Sequence, residues 1–183
     1  MRETSRQTIH IIIGIFFLFV LNFYSRRILE MLLFGGILMG FLAMNFIIRG
    51  KRIPVFSDFV EKYERGGSPL PGYGSAWYAI GVLAAALFIK DVNQLSAAIC
   101  LIALGDGFAT IAGKGGKFRL PYNKGKTLEG TLAFFLASLS SWIFIGPLAL
   151  PLAALGAIVE SLPIPIDDNL TIPAIAILFF TFI

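Results

Sequence analysis

LIALGDGFATIAGKGG, residues 101–116, decides the fold. Asp106 stands inside a run that is otherwise apolar or small. At a rise of about 1.5 Å per residue it lies about 10 Å in from the polar end of the helix it predicts. A carboxylate at that depth in a bilayer costs several kcal/mol unless it is paired or hydrated, so intramembrane acids default to function. The competing explanation is a structural carboxylate paired with a neighbouring helix. Asp106, Ala109 and Gly113 are spaced i, i+3, i+7 and share one helix face. Apart from the acid that face is small, which leaves room for a bulky polar group to approach.

The bilayer follows from the rest of the chain. Of 183 residues 57% are hydrophobic and 14% charged, with mean hydropathy +0.82. A soluble domain carries about 25% charged residues. Here the apolar residues form long runs, and a hydrocarbon core about 30 Å thick needs roughly 20 helical residues. Cutting the runs at charges and Pro/Gly clusters predicts helices at 8–24, 28–48, 75–89, 94–112, 128–145, 147–162 and 171 to the end. The fold class is therefore an all-α polytopic membrane bundle of about seven spans, with 1–183 as one domain. The third, sixth and seventh spans are short. No cleavable signal peptide is expected, because the first apolar run lacks a small-residue cleavage pattern. Cys100 is the only cysteine, which excludes an intrachain disulfide and reads as a small core residue. No internal repeat marks an inverted-repeat transporter.

The basic residues orient the bundle. With seven spans and a cytoplasmic N-terminus, twelve of the fifteen Lys and Arg residues fall inside, leaving Arg26, Arg27 and Lys90 outside. Arg65 is among the twelve. On this helical frame the net charge of +4 signals topology and anionic partners at the membrane surface, not nucleic acid. The arrangement brings three polar segments to the cytoplasmic face: Arg6 to His10, the stretch 113–127, and 163–169.

The stretch 113–127, GKGGKFRLPYNKGKT, predicts a Gly-rich basic loop. Gly113, Gly115 and Gly116 free the backbone to direct N–H groups at an anion. Lys117, Arg119, Lys124 and Lys126 add positive charge. Thr127 is placed to cap the fifth helix, whose N-terminus favours anions, and Glu129 falls in its first turn. Charge alone would signify only an ordinary cytoplasmic loop; the glycines and the Gly125-Lys126-Thr127-x-Glu129-Gly130 run favour phosphate. This is not a Walker A loop, which needs Gly where Leu120 stands. Glu160, Asp167, Asp168 and Asn169 gather acids and an amide at the same face, suited either to Mg²⁺ or nucleotide or to a solvated turn. Arg6 and His10 lie i, i+4 on the first helix, where His10 is either a bland interfacial residue or a base. Glu30 reads as an ion-pair partner of Arg26 and Arg27 on the far face.

Residues 105–130 resemble the CTP-dependent polyprenol kinase family, which includes dolichol kinase, phytol kinase and the yeast-type CTP-dependent diacylglycerol kinase. The shared pattern is Gly105-Asp106, Ala109, Gly113, Gly116, then Gly125-Lys126-Thr127-Leu128-Glu129-Gly130. Two departures stand out: the loop is one residue shorter between Gly113 and Gly116, and Gly125 replaces the first Lys of a Lys-Lys-Thr triplet. Arg6 to His10 approximates an N-terminal Arg-Lys-x-x-His element with Gln7 for Lys. Glu160 and Asp168-Asn169-x-x-x-Pro173 match a downstream element. The related phosphatidate cytidylyltransferases carry a His-Gly-Gly…Asp-Arg element that is absent here.

The resemblance implies phosphoryl transfer from CTP to a lipid alcohol such as dolichol. The basic loop, with Arg6, Glu160, Asp167, Asp168 and Asn169, would contact the nucleotide. Asp106 and Glu129 would hold Mg²⁺, Lys126 would contact phosphate, and Asp106 or His10 would accept the hydroxyl proton. CTP as donor rests wholly on the resemblance. The rival readings are a cytidylyltransferase making a CDP-lipid, a channel or transporter with Asp106 in a pore, and a structural membrane protein. The absence of intramembrane charge on the outer half of the helices after Glu30 favours an enzyme opening to one side. Oligomeric state, including a homo-oligomer, is left open.

Overall fold

In the computed structural model, which describes residues 2–54, 56–63 and 70–183, the chain forms an all-helical bundle with one small β-hairpin. Arg65 and the stretch 64–69 lie outside the described residues. Two long helices open the chain, α1 (Arg2–Phe23) and α2 (Arg26–Ile48). The short link between them forces them antiparallel. Ser25 caps α2, its hydroxyl accepting from the Ile28 amide. A short α3 (Phe56–Tyr63) precedes α4 (Tyr73–Phe88). Arg26 pairs with Glu30 at 2.7 Å, as the sequence predicts, and also donates to the Ile89 and Lys90 carbonyls, each at 3.0 Å. These bonds satisfy carbonyls at the end of α4 on the far face.

The central helix is a composite. α5 (Val92–Cys100), capped by Asp91, runs into a π-helical turn (Leu101–Gly105) and then α6 (Asp106–Gly115). Leu95, Ala97, Ala98, Ile99, Leu101 and Ala103 have no exposed surface, so this helix is enclosed by the others. Small residues permit the enclosure. A Cβ at Gly14 of α1 would collide with Ala103, and one at Gly105 would meet Phe134 at 3.0 Å. The π turn inserts about one extra residue and rotates the helix face beyond it by about 100°. It ends at Asp106.

The expected loop at 113–127 is replaced by ordered structure. Gly113 and Gly115 belong to the last turn of α6. Beyond them β1 (Arg119–Leu120) pairs antiparallel with β2 (Asn123–Thr127), with a register irregularity between Arg119 and Leu120. Thr127 caps α7 (Leu128–Ser138) as predicted, accepting from the Gly130 amide at 3.1 Å.

After a 3-10 turn, α8 (Trp142–Ile145) ends at Gly146, whose φ of +57° suits glycine. The chain reverses there into α9 (Ala149–Ser161), which returns to the start of α7. α10 (Asp168–Thr181) closes the bundle against α4, where a Cβ at Gly81 would strike the Asn169 carbonyl and lie 2.8 Å from Pro173. Among the described residues four helical stretches are long and apolar enough to cross a membrane: Glu3–Phe23, Arg26–Ile48, Val92–Gly115 and the folded-back Leu128–Ser161. Tyr73–Phe88 and Asp168–Thr181 are shorter apolar helices. The apolar legs follow the order read from the sequence.

Candidate active site

The antiparallel legs return the start of α1, the end of α6, the hairpin, the end of α9 and the start of α10 to one end of the bundle. A cavity of about 460 Å³ opens there. α1 supplies Arg6 and Gln7, and α6 supplies Asp106 and, one turn on, Thr110. β2 supplies Asn123 and Lys126, and the first turn of α10 supplies Asp167, Asp168 and Asn169. The connection between α9 and α10 contributes an aliphatic wall.

Lys126 organises this end. Its ammonium lies 2.5 Å from Glu160 Oε1 and 2.8 Å from Asp168 Oδ2. Burial opposes the charge, but the two carboxylates outweigh it and hold the Lys126 ammonium above the ordinary lysine range. Glu160 is 3% exposed, and that lysine is the cation paired with it. Asp167 caps α10 by accepting from the Asn169 amide at 3.0 Å. Arg6 pairs with Glu3, and Gly74 leaves it room: a Cβ there would lie 3.2 Å from Nη1.

Asp106 is 6% exposed, lines the cavity, and has no hydrogen-bond or ion-pair partner among the described residues. Among the described residues no neighbouring helix supplies the partner that the structural alternative requires.

Several predicted residues sit elsewhere. Glu129 does not line the cavity. Its carboxylate accepts from the Lys117 amide at 2.7 Å and the Phe118 amide at 3.2 Å, tying the hairpin to α7. The structure therefore does not bring the expected pair Asp106 and Glu129 to one cavity. His10 packs its ring on Tyr78 at 4.5 Å and accepts the Tyr78 hydroxyl at its carbonyl, at 3.0 Å; it too is outside the lining. Lys117 and Lys124 are exposed on the hairpin, and Gly125 donates to Asn123 Oδ1 at 3.1 Å.

The glycines act differently from expectation. Gly113, Gly115, Gly116 and Gly125 all lack positive φ, the geometry an anion-binding nest would use. They serve packing. A Cβ at Gly130 would lie 3.0 Å from the Ala109 carbonyl and 3.2 Å from Gly113 Cα, and one at Gly116 would lie 2.8 Å from Thr127 Cβ. The small face of α6 admits α7, not a ligand.

The sequence reading missed Gln7, Thr110 and Asn123 as cavity residues. Thr110 was legible, since it lies i+4 from Asp106. Asn123 was not, because the hairpin presents it: Asn123 Nδ2 donates to the Ser161 carbonyl at 3.0 Å.

Among the described residues no group of three His, Cys, Asp or Glu side chains forms a closed metal site. Mg²⁺ does not require one. It is held by one or two carboxylates together with substrate phosphates. The cavity lining has hard oxygen donors, and its three carboxylates, Asp106, Asp167 and Asp168, outnumber the cations Arg6 and Lys126. That donor set fits a metal-bound polyphosphate.

No family model matches the chain, and no solved structure matches it. Relatives do. An uncharacterised protein of Methanocaldococcus jannaschii is 36% identical, covering 96% of this chain and 91% of its own length. A probable chloroplastic phytol kinase 3 of Glycine max is 33% identical over 97% of this chain, and a chloroplastic farnesol kinase of Arabidopsis thaliana is 28% identical over 93%. The chain spans 62% of the length of each of these two kinases. This similarity covers nearly the whole of the chain and supports the polyprenol kinase resemblance read from the sequence.

Proposed function

We propose that the protein is a membrane-embedded lipid-alcohol kinase that transfers the γ-phosphate of CTP to a polyprenol-type alcohol, giving a polyprenyl phosphate and CDP. One observation carries the reading: an unpaired acid, Asp106, projects from an apolar helix into a cavity that also presents Lys126, Arg6 and the capped start of α10. Kinases whose names specify phytol and farnesol support an isoprenoid acceptor; dolichol belongs to the same chemical class. CTP rests on the motif resemblance, and a cytoplasmic active site rests on the basic bias.

Phosphoryl transfer needs positioning and charge neutralisation more than covalent help. Arg6 and Lys126 bind phosphate oxygens, with Lys126 exchanging carboxylate partners for the nucleotide. The alcohol oxygen attacks the γ-phosphorus, and the bond to the β–γ bridging oxygen breaks with its electron pair leaving on CDP. Asp106 takes the hydroxyl proton; His10, outside the cavity lining, is less well placed. Asp106 and the acidic first turn of α10 would hold Mg²⁺, which would supply neutralisation of the triphosphate charge.

The test is purified protein with γ-labelled CTP or ATP and a panel of phytol, farnesol, geranylgeraniol and dolichol, resolved by thin-layer chromatography. Labelled prenyl phosphate with CTP preferred is expected. Equal use of ATP removes the CTP assignment; pyrophosphate with a CDP-lipid makes the protein a cytidylyltransferase.

A further inference from the structure

One wall of the cavity differs from the rest. Leu162, Pro163, Ile164 and Ile166, from the connection between α9 and α10, line it together with the charged groups. Leu162 is 41% and Ile166 53% exposed. Exposed aliphatic side chains beside a cluster of carboxylates and cations have no use for a triphosphate. They suit hydrocarbon. The connection is also short and stiff, with Pro163 and Pro165 restricting the backbone. Both its ends are tied down: Glu160 and Asp168 share Lys126, and Asp167 caps α10.

We propose that Leu162, Ile164 and Ile166 form the acceptor subsite, packing against the first isoprene units of the alcohol and selecting its chain. This rests on the kinase reading for the class of acceptor. The cavity then holds its two reactants on two walls. The polar wall, with Arg6 and Lys126, takes the nucleotide. The aliphatic wall takes the head of the prenyl chain, and Asp106, which lines the same cavity, accepts the hydroxyl proton. The chain beyond these units continues into the bilayer. The wall is a specificity element and takes no part in bond making.

Two measurements test it. In the purified enzyme, I164A/I166A should raise KM for farnesol at least about tenfold, since even one methylene contact in an apolar pocket is worth that order of discrimination. KM for CTP should stay within twofold, and the preference among farnesol, phytol and dolichol should change. A rise in KM for CTP with KM for the alcohol unchanged overturns the proposal. The second measurement needs neither turnover nor folding of a variant. A farnesol analogue bearing a benzophenone near its hydroxyl is photolysed with the wild-type protein in vesicles, and labelled peptides are mapped. Label within 162–166 that excess farnesol suppresses is expected; label elsewhere, or none in this segment, overturns the proposal. Absence of kinase activity towards every alcohol would defeat the kinase reading itself, whatever the label shows.

Discussion

Lys126 and Glu160, 34 residues apart, meet at 2.5 Å where the start of α7 receives the end of α9. The carboxylate is buried, and the lysine side chain keeps about a quarter of its surface. Removing one partner of such a pair strands the other charge. Lys126→Met should therefore lower stability by about 3 kcal/mol, read as thermal unfolding in detergent. Adding Glu160→Gln should recover most of that loss. Turnover should be absent from both variants, because the phosphate contact is gone; turnover retained in Lys126→Met would remove the lysine from the site.

Asp106→Asn keeps size and discards charge. Because Asp106 has no partner to lose, thermal stability should hold or rise. Kinase turnover should fall about a thousandfold, in the range expected for losing a general base. Near-normal turnover would sink the mechanism.

Glu129 separates two geometries. Its bonds to the Lys117 and Phe118 amides make it a positioning residue for the hairpin. Glu129→Ala should raise KM for CTP about tenfold, lower kcat less, and leave the half-saturating Mg²⁺ concentration unchanged. A raised Mg²⁺ requirement would restore the metal-ligand role read from sequence.

Three glycines test the packing. A Cβ at Gly130 meets backbone of α6, and one at Gly81 meets Asn169 and Pro173, whereas Gly35 has nothing within 4 Å. Gly130→Ala and Gly81→Ala should each cost about 1–3 kcal/mol. Gly35→Ala should be neutral or stabilising by up to about 1 kcal/mol, since it replaces glycine within a helix. Equal melting shifts for all three would contradict the close helix contacts.

Orientation is open to labelling. In a Cys100→Ala background, Lys124→Cys and Pro165→Cys should resist an impermeant thiol reagent in intact cells and react after permeabilisation. Reaction of either from outside would reverse the sidedness inferred from the basic residues.

The sequence alone determined the helical legs and singled out Asp106, because both are one-dimensional signals. Apolar runs of spanning length and an acid interrupting one of them are costs the bilayer imposes locally, whatever the neighbours. The Thr127 cap was legible for the same reason, being a contact of near sequence neighbours. Tertiary structure decided what the glycines and carboxylates face. Gly113, Gly116 and Gly130 look alike in a phosphate loop and in a tight helix crossing, and only the approach of α7 to α6 tells these apart. Glu129 turned to the hairpin amides that the fold brings within reach, and Glu160 to a lysine 34 residues away, because a buried polar group takes the partner the packing offers, and sequence spacing does not encode either distance.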